Sequence, residues 1–184
     1  MIKKILSLDP SSSNFGWAYS QYDTKNGNFK NVKYGSFKSS KIAIKNKEEV
    51  AKYGLKMITL DVIEDEITKL ITQYNPDYVV SEDAFMHQYA QTYASLVLII
   101  YTIQKVCRKF GKVLYTISPK EIKVTVASSG NANKEAVQNS VINHEKITVP
   151  RTKSNPIDEM SEHEADAIAT GYAFAICILP TLNG

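Results

Sequence analysis

Three β-prone runs within the first 37 residues place the strongest constraint on the fold. Residues 3–8 form a short β-prone run, residues 15–22 are rich in aromatic side chains, and residues 29–37 follow. Asn26-Gly27 lies between the second and third runs, and Asn-Gly is a strong signal for a hairpin turn. The chain is therefore predicted to open with an antiparallel meander of three strands.

Helical and β-prone segments alternate after this meander. Residues 48–74 carry apolar side chains at near-helical spacing, and Asn75-Pro76 ends that pattern. Residues 78–82 then form a predicted strand, residues 89–110 a helix and residues 113–118 another strand. Since helices that alternate with strands pack on the faces of a sheet, this order favours an α/β fold.

The last third of the chain is predicted to be mostly helical. Ser118, Asn133 and Ser161 each precede a helical segment, and these residue types are preferred N-caps. With them the element order is βββαβαβαα. We expect a single α/β domain over residues 1–184, with a mixed five-stranded sheet of three antiparallel strands and then parallel strands, flanked by helices.

Composition excludes several classes of protein. With 43% hydrophobic and 22% charged residues, the chain is neither disordered nor a disulfide-stapled miniprotein. Its longest apolar stretches, residues 94–106 and 165–179, are too short and too interrupted to span a bilayer. Cys107 and Cys177 lie far apart in apolar runs, which favours buried, reduced thiols. We therefore expect a cytoplasmic protein without a membrane partner.

Acidic side chains stand where the predicted strands end. Asp9 ends the first strand and Glu82 ends the fourth, while His163 and Asp166 lie near the start of the last helix. Residues three apart share one face of a helix, so His163 and Asp166 point the same way. If the first and fourth strands are neighbours, the four side chains converge on one point.

Three carboxylates and one imidazole make an oxygen-rich site that suits Mg²⁺ or Mn²⁺. Two such ions about 3.5–4 Å apart can activate water and stabilise a leaving oxygen in phosphodiester cleavage. Each residue also has an ordinary structural interpretation. Asp9 could be a turn residue, Glu82 one of a solvated pair with Asp83, and His163 a surface residue. The joint placement of the four favours the functional interpretation.

Four segments carry a resemblance to a known family. Residues 5–18 hold a strand that ends in Asp-Pro and continues to Gly16, and residues 79–86 hold a strand-end Glu with an aromatic residue three positions on. Residues 118–134 form a basic segment, and residues 163–167 place His three before Asp. In this order the segments resemble the motifs of RuvC-type Holliday junction resolvases, which belong to the ribonuclease H-like superfamily.

The resemblance implies a fold, a metal site and a reaction. It implies a ribonuclease H-like sheet and two divalent ions, Mg²⁺ or Mn²⁺, held by Asp9, Glu82, His163 and Asp166. Lys123 matches a lysine near the scissile phosphate and is expected to steady negative charge during the reaction. Together these five residues form the expected catalytic set of an endonuclease that resolves four-way junctions.

The resemblance also implies how DNA is bound. Phe85 matches an aromatic residue that meets unstacked bases at the junction centre, and Lys134 matches a lysine that contacts the DNA backbone. Lys120 lies in the same basic segment and is expected to contact DNA with Lys123. Members of the family act as homodimers that cut opposed strands, so we expect a homodimer here.

The chain departs from the family pattern at three places. Ser11 stands where Gly usually follows Asp-Pro, and residues 38–47 and 144–160 are inserts. These departures leave the cleavage-sequence preference open and are compatible with a relaxed, phage-like enzyme that acts on several branched DNAs. The surplus of lysine and arginine over residues 105–134 is interpreted as a basic rim for phosphates, with a solvated lysine face as the alternative for residues 105–112.

Three other functions remain open from the sequence. A related ribonuclease H-like nuclease could act on another substrate, such as an RNA–DNA hybrid. A non-catalytic junction-binding protein is expected to lack one of the four metal positions, all of which are filled here. An actin-like ATPase or kinase shares the opening meander, but it needs a second Gly-rich phosphate turn that the sequence does not contain.

Overall fold

A computed structural model describes residues 1–86, 89–150 and 160–182. The predicted meander is confirmed as strands β1 (Ile2–Asp9), β2 (Phe15–Asp23) and β3 (Phe29–Phe37). Strands β1 and β2 are antiparallel, as are β2 and β3. Gly27 adopts a positive φ of 73° in the turn between β2 and β3, which is the conformation that the Asn-Gly pair supplies.

The other half of the sheet is parallel. Strand β4 (Tyr78–Glu82) pairs with β1, and β5 (Leu114–Ile117) pairs with β4. A two-residue strand, β6 (Ile147–Thr148), pairs in parallel with β3 and makes the sheet six-stranded, in the order β5-β4-β1-β2-β3-β6. The predicted mixed sheet is therefore confirmed, with one short edge strand more than the five predicted from sequence.

The predicted helices occur in the predicted order, but one of them is divided in two, and α1 and α8 are additional. They are α1 (Ser39–Ala43), α2 (Lys47–Tyr53), α3 (Leu55–Tyr74), α4 (Ala90–Lys109), α5 (Pro119–Ala127), α6 (Lys134–Asn143), α7 (Glu162–Cys177) and α8 (Leu179–Leu182). The single helix predicted over residues 48–74 is wrong, because Gly54 takes a φ of 85° and separates α2 from α3. The insert at residues 38–47 contains α1, whereas residues 151–159 of the other insert lie outside the described residues.

Helices cover both faces of the sheet. Side chains alternate between faces along a strand, so Leu6 and Leu8 of β1 pack with α3 and α4 while Ile5 packs with the cluster around α7. Helix α7 is almost wholly buried, and Gly171 lets it approach Ser7 of β1 closely. The central strand is thus covered on both sides, which fixes the position of α7 over the sheet.

Two features bear on the expected environment of the protein. Among the described helices, none has the length and apolar character needed to cross a membrane. Cys107 is buried in the core beside α3, but Cys177 at the end of α7 is exposed. The expectation of two buried thiols is therefore wrong for Cys177, because the last turn of α7 leaves the core.

Candidate active site

Asp9 and Glu82 end neighbouring parallel strands at the same level. Leu8 pairs with Ser81 in the parallel register of β1 and β4, so the next residue of each strand is an acid. Adjacent strands lie about 4.8 Å apart, and the two carboxylates therefore share one edge of the sheet. Two acids at one sheet edge are the strand-end arrangement that the sequence predicts.

Helix α7 begins directly over this edge. The Nδ1 atom of His163 lies 2.7 Å from Oδ2 of Asp9, so the first turn of the helix contacts the end of β1. Gly16 pairs with Asp9 across the antiparallel register, and a Cβ at Gly16 would come within 2.6 Å of the carbonyl carbon of His163. The absence of a side chain at Gly16 therefore allows His163 to reach Asp9.

A capping box fixes the start of α7. The Ser161 hydroxyl accepts a hydrogen bond from the Glu164 amide, and Glu164 Oε2 accepts one from the Ser161 amide at 2.9 Å. The Ser36 hydroxyl of β3 donates to the other Glu164 oxygen at 3.3 Å. The Ser-x-x-Glu pattern indicates the cap from sequence, whereas no local pattern indicates the contact with Ser36.

The three carboxylates of the site have raised pKa values. Burial raises the pKa of Glu82 to about 8, and repulsion from Asp9 and Asp166 adds to the effect. Burial and the Asp9 charge raise the pKa of Asp166 to about 6, and burial also raises that of Asp9. The hydrogen bond to Asp9 raises the pKa of His163. Such mutual shifts among titratable groups are typical of functional sites.

The donor set fits a divalent cation. Carboxylate oxygens are the preferred ligands of Mg²⁺, and an imidazole is compatible with Mn²⁺. A positive ion among Asp9, Glu82 and Asp166 would remove the repulsion that raises their pKa values. Within the ranges that the structure describes, no three His, Cys, Asp or Glu side chains already stand in a metal-binding arrangement. Asp9 is instead hydrogen-bonded to His163.

Two of the predicted lysines lie beside the acids. Lys123 of α5 and Lys134 of α6 both lower the pKa of Glu82 by their positive charge. The Lys134 ammonium donates to Glu162 at 2.8 Å, and Glu162 in turn lies 3.5 Å from Nε2 of His163. Glu162, which the sequence indicates only as a helix N-terminal acid, therefore connects Lys134 to the His163–Asp9 pair.

The other two predicted DNA-contacting residues lie at the margin of the site. Phe85 follows β4 by three residues, and 58% of its surface is exposed. Lys120, one turn before Lys123 on α5, is exposed and its stem lies against Gly130. These positions are open to a large ligand approaching Glu82.

The basic residues of 105–112 lie elsewhere. Lys105 and Lys109 both pair with Glu64 of α3, at 2.6 and 2.5 Å, and Lys112 donates to the carbonyl oxygen of Pro76 at 2.6 Å. Helix α4 starts after the carboxyl end of β4 and runs back, so its last turn lies at the opposite end of the sheet. A single basic rim over residues 105–134 is therefore wrong, because its first part stabilises the packing of α3 and α4.

The sheet combines an antiparallel meander with a parallel half, and acids stand at the adjacent ends of β1 and β4. This arrangement defines a ribonuclease H-like protein. The sequence model of the family described as crossover junction endodeoxyribonuclease RuvC matches residues 5–177. The chain therefore belongs to the RuvC family, whose nucleases depend on divalent metal ions.

Individual relatives agree with this assignment. The RuvC of Orientia tsutsugamushi (strain Boryong) is 27% identical over 172 residues, which cover 94% of each chain. That of Finegoldia magna is 28% identical over 144 residues, covering 75% of this chain and 76% of the relative. The solved structure of Thermus thermophilus RuvC has a TM-score of 0.68 at 18% identity and covers 95% of this chain and 93% of its own. A yeast mitochondrial Holliday junction resolvase has a TM-score of 0.65 at 12% identity, with 94% and 78% covered.

Proposed function

We propose that this protein is a crossover junction endodeoxyribonuclease that resolves four-way DNA junctions by hydrolysing phosphodiester bonds. The observation that carries the proposal is the group of Asp9, Glu82, Asp166 and His163 at one sheet edge of a RuvC-family chain. A solved T. thermophilus RuvC of the same fold is in complex with a Holliday junction substrate. Residues 1–184 act as one nuclease domain, in the cytoplasm of a bacterial cell or of a phage-infected host.

The acidic residues hold the catalytic metal. Asp9, Glu82, Asp166 and His163 would hold two Mg²⁺ or Mn²⁺ ions, which would lower the pKa of water and stabilise the leaving oxygen. The hydrogen bond between His163 and Asp9 keeps the Asp9 carboxylate at the sheet edge before metal enters. Glu82 and Asp166 are partly buried, which reduces the hydration of their oxygens and so strengthens their attraction for a cation.

The lysines supply positive charge on the side from which DNA arrives. Lys123 lies near Glu82, where its ammonium can steady the negative charge that develops on the phosphate. Lys134 contacts the DNA backbone after its ammonium leaves Glu162, and Lys120 adds a further phosphate contact. The exposed ring of Phe85 stacks on unpaired bases at the centre of the junction.

The protein acts as a homodimer that pairs α4 with its counterpart. Val97, Leu98 and Tyr101 are apolar residues on this helix that remain exposed, and 63% of the Tyr101 surface is accessible. Ile103 on the same helix belongs instead to the core. Two copies joined in this way would present two metal sites to opposed strands of one junction.

The test is a cleavage assay on a synthetic four-way junction with Mg²⁺ or Mn²⁺, alongside a duplex, a flap and an RNA–DNA hybrid. We expect preferential cutting of the junction, and we expect Asp9→Asn to bind it without cutting. Preferential cutting of the hybrid would instead identify another ribonuclease H-like nuclease. Binding without cutting by the wild type would identify a non-catalytic protein, and ATP hydrolysis with an intact junction would favour the actin-like alternative.

A further inference from the structure

A groove beside the metal site is not used by the proposed chemistry. Two adjoining cavities of about 340 and 390 Å³ share Ser12, Ser95 and Ile99 in their walls. The walls are the β1–β2 loop, which follows Asp9, the first turns of α3, and the first half of α4, which begins eight residues after Glu82. Two of its walls therefore belong to segments that directly follow the two acids along the chain.

The walls of this groove are rich in uncharged hydrogen-bonding groups. Serine, threonine and glutamine side chains line it over an apolar floor that includes Ile99, and the lining polar residues include Ser13, Ser40, Thr59, Gln91 and Thr92. Hydroxyl and amide groups of this kind commonly contact the phosphates and sugars of DNA.

The insert at residues 38–47 holds the loop wall in place. The Ser12 carbonyl oxygen accepts hydrogen bonds from the Ser39 hydroxyl at 2.8 Å and from the Ser40 amide at 3.3 Å. Ser11 accepts bonds from the Ser13 and Asn14 amides. Ser11, which departs from the family pattern, thus gives the loop an internal support that glycine would lack.

Charge along the groove favours a polyanion. Residues 38–56 contain six lysines and two glutamates, and Lys56 lines the groove itself. This lysine-rich stretch therefore reaches the groove at Lys56. A chain of phosphates running from the metal site would meet positive charge there.

We infer that this groove binds the sugar-phosphate backbone of the DNA strand that flanks the scissile phosphate. The inference rests on the proposed nuclease function and adds a binding surface, built partly by the insert, to the lysines of α5 and α6. Contacts to the DNA backbone carry no sequence information. This surface therefore positions the strand and does not select among DNA sequences.

The first test measures the affinity of a fluorescent four-way junction for charge variants in Ca²⁺. Thr92 is exposed in the first turn of α4, where an added carboxylate favours the helix. We expect Thr92→Glu to weaken binding several-fold more than the matched neutral variant Thr92→Gln does, because only the first adds negative charge. We expect Lys56→Gln to reduce the slope of log affinity against log salt by about 1, while Lys52→Gln outside the groove does not.

The second test locates the contact on the DNA. Single phosphates next to the cleavage position are replaced by neutral methylphosphonates. We expect one of these replacements to weaken binding by the wild type. The same replacement should not weaken binding by Lys56→Gln any further, because that variant already lacks the ammonium that would pair with the phosphate. Two results would overturn the groove assignment if the wild type still cuts the junction. One is that Thr92→Glu binds the junction as tightly as the wild type does. The other is that methylphosphonates weaken binding by Lys56→Gln as much as binding by the wild type. A wild type that leaves the junction intact overturns the nuclease function and the groove assignment together.

Discussion

The Nδ1 atom of His163 lies 2.7 Å from Oδ2 of Asp9, and this contact joins the first turn of α7 to the end of β1 across 154 residues of sequence. The contact raises the pKa of His163 and so favours the protonated imidazole, whose charge would offset part of the negative charge of the site. In the absence of metal, His163 therefore takes over part of the role that a cation would have toward Asp9.

This role predicts different results for two substitutions of His163. His163→Asp should retain Mg²⁺-dependent cleavage, because a carboxylate oxygen is a good Mg²⁺ ligand, but its rate with Mn²⁺ should fall relative to Mg²⁺. His163→Ala should lose roughly 100-fold in cleavage rate, since loss of one oriented group costs about that much. Cleavage rates of a four-way junction in each metal provide the measurement. Equal activity of His163→Ala and the wild type would contradict a role for this residue at the metal.

A methyl group at Gly16 should separate β2 from the first turn of α7. Its Cβ would collide with the backbone of His163, which belongs to a buried helix and has little room to move. We expect Gly16→Ala to lower the free energy of unfolding by about 1–3 kcal/mol and to slow cleavage. Gly130→Ala is the matched control, because its Cβ would come closest to the flexible Lys120 side chain and would make an ordinary contact with Val124. Urea unfolding of both variants measures the difference, and equal stability would exclude the tight α7–β2 contact.

The raised pKa of Glu82 predicts how stability depends on pH. Folding raises this pKa from 4.5 to about 8, chiefly by burial. Between these values the folded state binds a proton that the unfolded state has lost, so stability falls as pH rises through this window. The metal-free protein should therefore lose on the order of 1–3 kcal/mol between pH 5 and 8, and Mg²⁺ should restore it.

Two measurements check this prediction. Glu82→Gln should remove most of the decline with pH, whereas Asp83→Asn, an exposed neighbour, should retain it. Titration of Mn²⁺ at pH 7 in buffers of different ionisation enthalpy should reveal proton release from the wild type. A metal-free wild type that becomes more stable from pH 5 to 8 would show that Glu82 is not in the protonated, buried state.

Local pattern was sufficient to predict the meander, the strand-end acids and the caps at Ser118, Asn133 and Ser161. These features depend on neighbours in sequence or on the rule that parallel strands end together. The break at Gly54 escaped prediction because apolar residues continue at helical spacing on both sides of it. The contact between Ser36 and Glu164 spans 128 residues, and only the fold brings them together.

Two lysines at opposite ends of the sheet should differ in their effects on cleavage and on stability. Lys109 pairs with Glu64 at the far end of the sheet, whereas Lys123 lies beside Glu82. We expect Lys109→Gln to cut the junction at the wild-type rate and to lower the free energy of unfolding by about 0.5 kcal/mol, since the pair with Glu64 is partly exposed. We expect Lys123→Gln to fold normally and to slow cleavage about 100-fold, because it removes charge next to the reacting phosphate. Single-turnover cleavage and urea unfolding separate the two effects. If Lys109→Gln slowed cleavage as much as Lys123→Gln, DNA would have to extend along α4 to the opposite end of the sheet.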